Sequence, residues 1–369
     1  MKGIYIHIPF CIQKCNYCDF CSYPSLMNMR SEYCDALCRE AESYKEMHIS
    51  ADTVYFGGGT PSVLEYGDIS RVLESVRKNF DISPNAEITI EVNPGTITRQ
   101  DAKLLRSIGF NRVSIGAQSF DSGELSLLGR IHTPDDTIRC FNYFRESGFA
   151  NISLDLMYAI PGQNMKSLST SVSQVLKLSP EHISCYGLKI EEGTPFERML
   201  SNGEISEKSD DEYADMYDFI LSECASNGYA QYELSNFSKP GFESRHNLKY
   251  WLSGEYIGLG AAASSYLGTK RFTHSSDIRE YMNSFSNEEE YELSIDDMMS
   301  EFMFLSLRLT TIGTSKSDFA KKFGVRIEDV FGTSIKKHLS LGTLKDEGDR
   351  YVLAPKAYYI SNSVLCDFV

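Results

Sequence analysis

Four cysteines lie within a short segment near the start of the chain, CIQKCNYCDFC at residues 11–21. Three of them, Cys11, Cys15 and Cys18, have the spacing C-x3-C-x2-C directly after a β-type run. Three thiolates on one loop can bind three irons of a [4Fe–4S] cluster, which leaves the fourth iron open to a substrate. A structural zinc ion usually takes four ligands in two pairs, and no second pair follows in the sequence. The spacing therefore favours an iron–sulfur cluster over a structural zinc site.

The composition is that of an ordinary globular protein. The chain has 369 residues, 42% of them hydrophobic and 24% charged, which predicts one large domain and a smaller one. Its formal net charge of −15 argues against a nucleic-acid partner, because binding to phosphates needs a basic surface. The sequence contains no secretory signal and no apolar run of ~18 residues, so we expect a cytoplasmic protein with at most a peripheral membrane contact. In that reducing compartment a tight cysteine cluster favours a metal site over disulfides.

The elements that must position these residues alternate between β-type runs and amphipathic helical stretches up to residue 235. Thr98 and Asp101 form a capping-box pair with Gly109 as terminator, and Thr133 before Pro134 predicts another helix start. Six β–α units predict an α/β fold with a parallel sheet, either a partial (β/α)6 barrel or a doubly wound sheet. The β-type runs are residues 3–8, 53–56, 87–92, 112–116, 151–157 and 182–188.

Loops at the carboxyl ends of parallel strands carry the chemistry in such folds. The cysteine segment follows the first run, and the next four runs are followed by GGGTPS (57–62), NPGT (93–96), AQSF (117–120) and AIPG (159–162). We therefore expect these stretches to form one site in a domain of residues 1–235.

The rest of the chain has a different pattern. Residues 236–284 are interpreted as a connecting segment, and residues 285–369 as a winged-helix-like α+β module with three helices and a hairpin at 343–354. The acidic balance of the chain favours a lid or docking role for this module over DNA binding.

Several motifs resemble, in order, those of the radical S-adenosylmethionine (radical SAM) superfamily and its oxygen-independent coproporphyrinogen III oxidase-like family. They are YIHIPFC, GGGTPS, IEVNPG, GAQSF, LDLMYAIPGQ and HNLKYW, and the similarity covers nearly the whole chain. The match is to the heme chaperone branch of that family, because Phe20 stands where the oxidases have a fourth cysteine. Cys21 is therefore expected to have no ligand role. The resemblance implies a radical SAM barrel that holds a [4Fe–4S] cluster and S-adenosylmethionine.

The resemblance also implies which residues bind these cofactors. Cys11, Cys15 and Cys18 are the implied cluster ligands, with Tyr5 and Tyr17 packed beside the cluster and cofactor. The implied contacts to S-adenosylmethionine are Gly58, Gly59, Thr60, Glu91, Gln118, Arg130 and Asp155. Glycines allow close approach of the backbone, and the planar fork of an arginine suits a carboxylate.

The segment HNLKYW at residues 246–251 matches a motif associated with heme in the chaperone branch. An imidazole can ligate heme iron, and Tyr and Trp rings can cover a porphyrin face. The resemblance thus implies His246 as a heme ligand, whereas a histidine among aromatic rings is more often a packed, hydrogen-bonded residue. In GLGAAASSY the chain has Ala262 and Ser264 where this branch has a glycine and a histidine.

The function implied by the resemblance is that of a heme chaperone, which binds heme and transfers it to an acceptor protein, with an electron donor for the cluster. The alternative is an oxygen-independent coproporphyrinogen III oxidase that decarboxylates propionates by radical chemistry. A third hypothesis is a non-catalytic protein whose iron–sulfur or zinc centre is structural. Cleavage of S-adenosylmethionine is expected of the first two, and turnover of coproporphyrinogen only of the oxidase.

Overall fold

A computed structural model describes all residues 1–369 of the chain. The strands are β1 (Lys2–Ile8), β2 (Ser50–Gly58), β3 (Asp81–Val92), β4 (Arg112–Gln118), β5 (Ile152–Tyr158), β6 (His182–Gly187), β7 (Ala230–Glu233), β8 (Asn236–Ser238), β9 (Tyr256–Leu259), β10 (Ser264–Leu267), β11 (Lys270–His274), β12 (Asn287–Glu292), β13 (Thr314–Ser315), β14 (Leu344–Asp346) and β15 (Arg350–Leu353). The helices are α1 (Arg30–Ser43), α2 (Tyr66–Asn79), α3 (Arg99–Ile108), α4 (Ser122–Leu127), α5 (Pro134–Glu146), α6 (Met165–Leu178), α7 (Pro195–Ser201), α8 (Asp210–Ser226), α9 (Arg245–Trp251), α10 (Ile278–Ser284), α11 (Ile295–Ser306), α12 (Lys316–Phe323), α13 (Ile327–Leu341) and α14 (Ser361–Leu365).

Twelve of the strands form one sheet, in the order β12-β11-β10-β9-β1-β2-β3-β4-β5-β6-β8-β7. Strands β1 to β6 are parallel and adjacent in chain order. A doubly wound sheet would reverse the strand order at a switch point, and this sheet has no such reversal. The predicted partial (β/α)6 barrel is therefore confirmed, and the doubly wound alternative is wrong.

The helices begin where local capping chemistry predicts them. Thr98 forms a capping box with Asp101 at the start of α3, and Gly109 ends that helix with φ +107°. Thr133 and Asp136 form a second box at the start of α5, with Pro134 in its first turn. Each box satisfies backbone N–H groups that have no partner within the helix, so these boundaries follow from local sequence.

Strand alternation separates two sides of the sheet. In β1 the side chains of Ile4, Ile6 and Ile8 are fully buried in the large core of 57 residues, which includes residues of α1 and α10. Tyr5 and His7 lie on the opposite face, which encloses the interior of the barrel. The polar residues on that face therefore meet in one interior.

The segment 236–284 extends the sheet at both edges. Strand β8 pairs with β6, and β9 runs parallel beside β1, followed by the antiparallel strands β10 and β11. Helices α11 to α13 and the three-stranded sheet β13-β15-β14 form the winged-helix-like module. Its core is a second cluster of 14 buried residues, which also includes Leu234 from the turn between β7 and β8. The hairpin predicted at 343–354 is β14 and β15. No helix combines the length and the apolar character that a membrane span requires.

Candidate cofactor site

A cavity of 460 Å³ opens at the carboxyl ends of the parallel strands and reaches into the barrel. It is lined by nearly all of the residues that the sequence analysis assigned to cofactors. These are Cys11, Cys15, Cys18, Tyr17, Gly58, Gly59, Thr60, Glu91, Gln118, Arg130 and Asp155. The expected convergence of the loops is thus a feature of the structure.

The cysteine loop is held by backbone contacts to two neighbouring loops. The amide of Asn16 donates to the carbonyl of Leu128 at 3.0 Å, and the amide of Phe196 donates to the carbonyl of Asn16 at 3.0 Å. The Cys11 thiol lies 3.4 Å from the Thr60 hydroxyl. Burial raises the pKa of the Cys11 thiol and raises that of Cys18 to about 11. Binding of a metal would therefore have to displace protons from these thiols.

Glycines allow the loop after β2 to pass close to the cysteine loop. A Cβ atom on Gly59 would lie 2.7 Å from the carbonyl oxygen of Phe10, and Gly58 has φ +107°. The amide of Gly59 donates to the carbonyl of Ile8 at 2.9 Å, and the amide of Thr60 donates to that of Phe10 at 2.8 Å. Only glycine accepts this approach and this φ without strain.

Two carboxylates face the cavity from the barrel wall. Glu91 on β3 accepts hydrogen bonds from the Tyr55 hydroxyl at 2.7 Å and from the Gly58 amide at 3.3 Å. Asp155 on β5 accepts from the hydroxyls of Ser114 and Ser153 at 3.0 and 3.1 Å. Burial raises the pKa of Glu91 to about 7, and it also raises the pKa of Asp155. A cationic ligand in this cavity would stabilise the ionised form of both groups.

The raised pKa of Glu91 predicts a dependence of stability on pH. Its pKa is 4.5 when exposed and about 7 in the fold, so folding favours the protonated carboxyl. The contribution of Glu91 to the free energy of unfolding is therefore fully present below pH 4.5 and is lost as the pH rises through 7. Glu91→Gln removes the charge and keeps an acceptor for Tyr55. We expect this variant to exceed the wild type in free energy of unfolding by roughly 3 kcal/mol at pH 8.5, and to match it near pH 4.5.

Urea unfolding of the cofactor-free protein at both pH values measures this difference. Glu42→Gln on the exposed side of α1 is the control and should leave the pH profile unchanged. Parallel profiles for Glu91→Gln and the wild type would contradict the prediction.

Arg130 and Gln118 form the wall opposite the glycine loop. The Arg130 guanidinium donates to the carbonyl of Gly116 at 2.8 Å and approaches the Cys15 thiol at 3.5 Å, while its buried Nε has no partner. Gln118, at the end of β4, has φ +64°, a left-handed conformation that costs energy in a residue other than glycine. Such local strain is frequent at ligand-binding positions.

Two residues assigned by sequence do not line the cavity. Tyr5 lies behind it, where its hydroxyl hydrogen-bonds with Nδ1 of His7 at 3.1 Å and its ring packs 6.2 Å from that of Tyr55. His246 is 1% exposed and lies near the amino ends of β1 and β2. Cys21 is also outside the cavity lining, and its carbonyl hydrogen-bonds with Nε2 of His7 at 3.0 Å.

The HNLKYW segment forms α9, which closes the amino-terminal end of the barrel. Both ring nitrogens of His246 are hydrogen-bonded, Nδ1 with the Thr53 hydroxyl at 2.9 Å and Nε2 with the Tyr250 hydroxyl at 2.8 Å. The ring stacks on Tyr55 at 5.0 Å. Burial lowers the pKa of His246 to about 3. The imidazole is thus neutral and packed in this structure.

Sequence reasoning missed several polar residues of the cavity lining. Arg112, Ser114, Ser184, Tyr186 and Asn247 all line it. An arginine at the first position of a strongly apolar strand, as in RVSIG, was the available signal, because a buried charge requires a partner.

The arrangement of the thiols bears on the kind of metal centre. All ten cysteines are free, and Cys11, Cys15 and Cys18 line the same cavity. A structural zinc site usually has four protein ligands, whereas an iron–sulfur cluster can be held by three thiolates with one iron left open. The three thiols at the rim of the cavity therefore fit an iron–sulfur cluster better than a structural zinc ion.

The chain is similar to known proteins along its whole length. The model of the radical SAM superfamily matches residues 5–174, and that of the HemN C-terminal domain matches residues 293–360. The heme chaperone HemW of Bacillus subtilis (strain 168) is 34% identical over 100% of this chain and 99% of its own length. The heme chaperone HemW of Lactococcus lactis subsp. lactis (strain IL1403) is 35% identical over 100% of this chain and 97% of its own length. The heme chaperone HemW of Escherichia coli (strain K12) is 31% identical over 98% of this chain and 97% of its own length.

Among solved structures, the radical SAM enzyme coproporphyrinogen III oxidase (HemN) from Escherichia coli has a TM-score of 0.86 at 22% identity, covering 99% of this chain and 89% of that one. This likeness establishes the shared fold. The chain belongs to the radical SAM superfamily, in the family whose curated members are named heme chaperone HemW. The superfamily implies a [4Fe–4S] cluster and S-adenosylmethionine, and the thiols, glycine loop and buried carboxylates of the cavity fit both groups.

Proposed function

We propose that this protein is a heme chaperone of the radical SAM class, which binds heme and transfers it to an acceptor protein. The observation that carries the proposal is the match, along the whole chain, to relatives named heme chaperone HemW. We place the protein in the cytoplasm, in line with ten unpaired cysteines that a reducing compartment would keep free. The acceptor and the electron donor are further proteins, and any membrane contact is peripheral.

We assign the cofactors to the cavity. Cys11, Cys15 and Cys18 would hold a [4Fe–4S] cluster with one iron left for S-adenosylmethionine. In its reduced form the cluster would supply the electron for cleavage of that cofactor. The backbone of Gly58, Gly59 and Thr60 would lie against the cofactor, with Arg130 placed to clamp its carboxylate. The remaining contacts would come from Tyr17, Glu91, Gln118 and Asp155, with Tyr5 packed behind Tyr55.

The residues of the chain prepare this cavity for a cation. Glu91 and Asp155 are held by hydroxyl donors, so both carboxylates are oriented before the cofactor enters. A positively charged sulfonium or ammonium group would offset the cost of their burial. Arg130 lies beside Cys15 and would bring positive charge to the thiolates.

We retain His246 as the proposed axial ligand of heme iron. Its neutral imidazole is the form that binds iron, but its Nε2 is hydrogen-bonded with Tyr250 inside the barrel. Ligation therefore requires α9 to leave the position that it has in this structure. The 460 Å³ cavity is already needed for the cofactor, so we place heme outside it.

Heme titration and coproporphyrinogen turnover distinguish the chaperone from the oxidase. The protein is reconstituted anaerobically with iron and sulfide, then titrated with heme and separately incubated with coproporphyrinogen III, S-adenosylmethionine and a reductant. We expect stoichiometric heme binding and no decarboxylated product. Decarboxylation at an enzymatic rate without heme binding would make the oxidase the correct assignment.

A further inference from the structure

Arg112 stands at the floor of the cavity without a protein partner. Its side chain is 2% exposed, yet it lines the cavity. Its Nε is buried and has no hydrogen-bond partner. The positive charge of Arg112 is offset by electrostatic attraction without direct contact, and the largest such attraction is to the carboxylate of Glu87. A buried guanidinium in that state is costly unless a ligand supplies acceptors.

The nearby carboxylates hydrogen-bond with other groups. Glu87 accepts hydrogen bonds from the backbone amides of Arg245 and His246, at 3.2 and 3.0 Å, and so holds the start of α9. Asp155 accepts hydrogen bonds from the hydroxyls of Ser114 and Ser153. Neither carboxylate hydrogen-bonds with Arg112, which lines the cavity, so a ligand in the cavity is placed to supply its acceptors.

The neighbouring histidine cannot supply an acceptor either. His182 hydrogen-bonds through Nδ1 with the Ser153 hydroxyl and through Nε2 with the Tyr232 hydroxyl, both at 2.8 Å. Burial and the charge of Arg112 lower the pKa of His182 well below its usual value. At the floor of the cavity, the Arg112 guanidinium is thus a cation without a hydrogen-bond partner, and its neighbours are neutral or hydrogen-bonded with other groups.

We propose that Arg112 is a carboxylate-binding residue, which forms with Asn247 a second ligand position at the floor of the cavity. The planar fork of arginine matches a carboxylate with two parallel hydrogen bonds. A phosphate is the poorer choice, because its second negative charge would face Asp155 and Glu91 on the cavity wall.

This position is separate from the proposed cofactor clamp. Arg130 is anchored to the carbonyl of Gly116, which lies four residues along β4 from Arg112, about 13 Å at the rise of a strand. The inference therefore goes beyond the proposed function. It assigns the floor of the cavity to a carboxylate other than the one that Arg130 would clamp.

Sodium propionate is a suitable probe, with sodium chloride at equal ionic strength as the control. We expect propionate at saturation to raise the Tm of the anaerobically purified protein by about 2 °C. Arg112→Met should abolish that rise, and its own Tm without probe should equal or exceed that of the wild type, since it removes an unpaired buried charge. Arg130→Met should keep the rise.

The affinity for 13C-labelled propionate, measured by NMR, provides a second readout. Arg112→Lys keeps the charge and loses the fork, so we expect it to bind the probe at least tenfold more weakly. An equal affinity in this variant would overturn the proposal, even if Arg112→Met fails to fold. So would a Tm rise that disappears in Arg130→Met and persists in Arg112→Met.

Addition of S-adenosylmethionine to the cluster-reconstituted protein separates the two sources of a carboxylate. Retention of bound propionate supports a second position. Displacement of propionate would assign Arg112 to the cofactor's own carboxylate and overturn the proposal of a separate site.

Discussion

Replacement of Cys11, Cys15 or Cys18 singly by alanine is expected to remove the brown iron–sulfur absorbance of the reconstituted protein completely. Each thiol lines the rim of the same cavity, and three ligands are the fewest that hold a cluster with one open iron. Cleavage of S-adenosylmethionine should disappear with the cluster. Iron and sulfide content, together with the visible spectrum, measure the loss.

Cys21→Ala is the matched control, because Cys21 lies in the same segment but outside the cavity lining. Its thiol contacts the Tyr23 hydroxyl at 3.5 Å and the carbonyl of Ser276 at 3.8 Å. We expect this variant to keep full iron content. Loss of iron in Cys21→Ala, or its retention in any of the other three variants, would refute the proposed ligand set.

His246→Asn should lower the free energy of unfolding of the heme-free protein by roughly 2–4 kcal/mol. The substitution removes a buried ring that stacks on Tyr55 and breaks the hydrogen bond with Tyr250. It thereby leaves a void at the amino-terminal end of the barrel. Urea unfolding at pH 7 measures the change.

His48→Asn is the control for this loss of stability. His48 is exposed and has φ +47°, a conformation that asparagine tolerates well. We expect a change below ~0.5 kcal/mol there. A comparable change in both variants would contradict the packed role of His246.

His246→Asn also tests the axial-ligand proposal, through the Soret band of the heme-loaded protein. A displaced or missing band is expected if Nε2 of His246 binds the iron. If the band and the heme affinity are unchanged while the stability falls, the residue serves the core of the barrel alone.

The winged-helix-like module contacts the barrel domain at the HNLKYW segment and at β7. Arg308 lies 4.5 Å from the ring centre of Trp251 on α9, and the Thr310 hydroxyl donates to the carbonyl of Gln231 at 3.0 Å. A movement of α9 during heme binding would therefore break or alter the contact between Trp251 and Arg308 of the C-terminal module. This contact could not be predicted from sequence, because Trp251 and Arg308 lie in different predicted units.

The sequence by itself determined the features that local chemistry controls. Capping boxes at Thr98 and Thr133 placed helix starts, and the order of strands and loops placed the cysteine and glycine segments at one end of the barrel. The residues lining that end could be named, because loops at the carboxyl ends of adjacent parallel strands must converge.

Only the tertiary structure decided which side chains face the cavity from the floor and which fill the core. His246 pairs with Thr53 across 193 residues, and Arg112 is surrounded by groups from five strands and from α9. Such neighbours depend on the register of the sheet and on the seating of α9. The motif HNLKYW specifies residue types and local spacing, but its burial depends on long-range packing. Arg112 has no hydrogen-bond partner because the nearby acceptors bond with other donors, and only the folded structure determines those pairings.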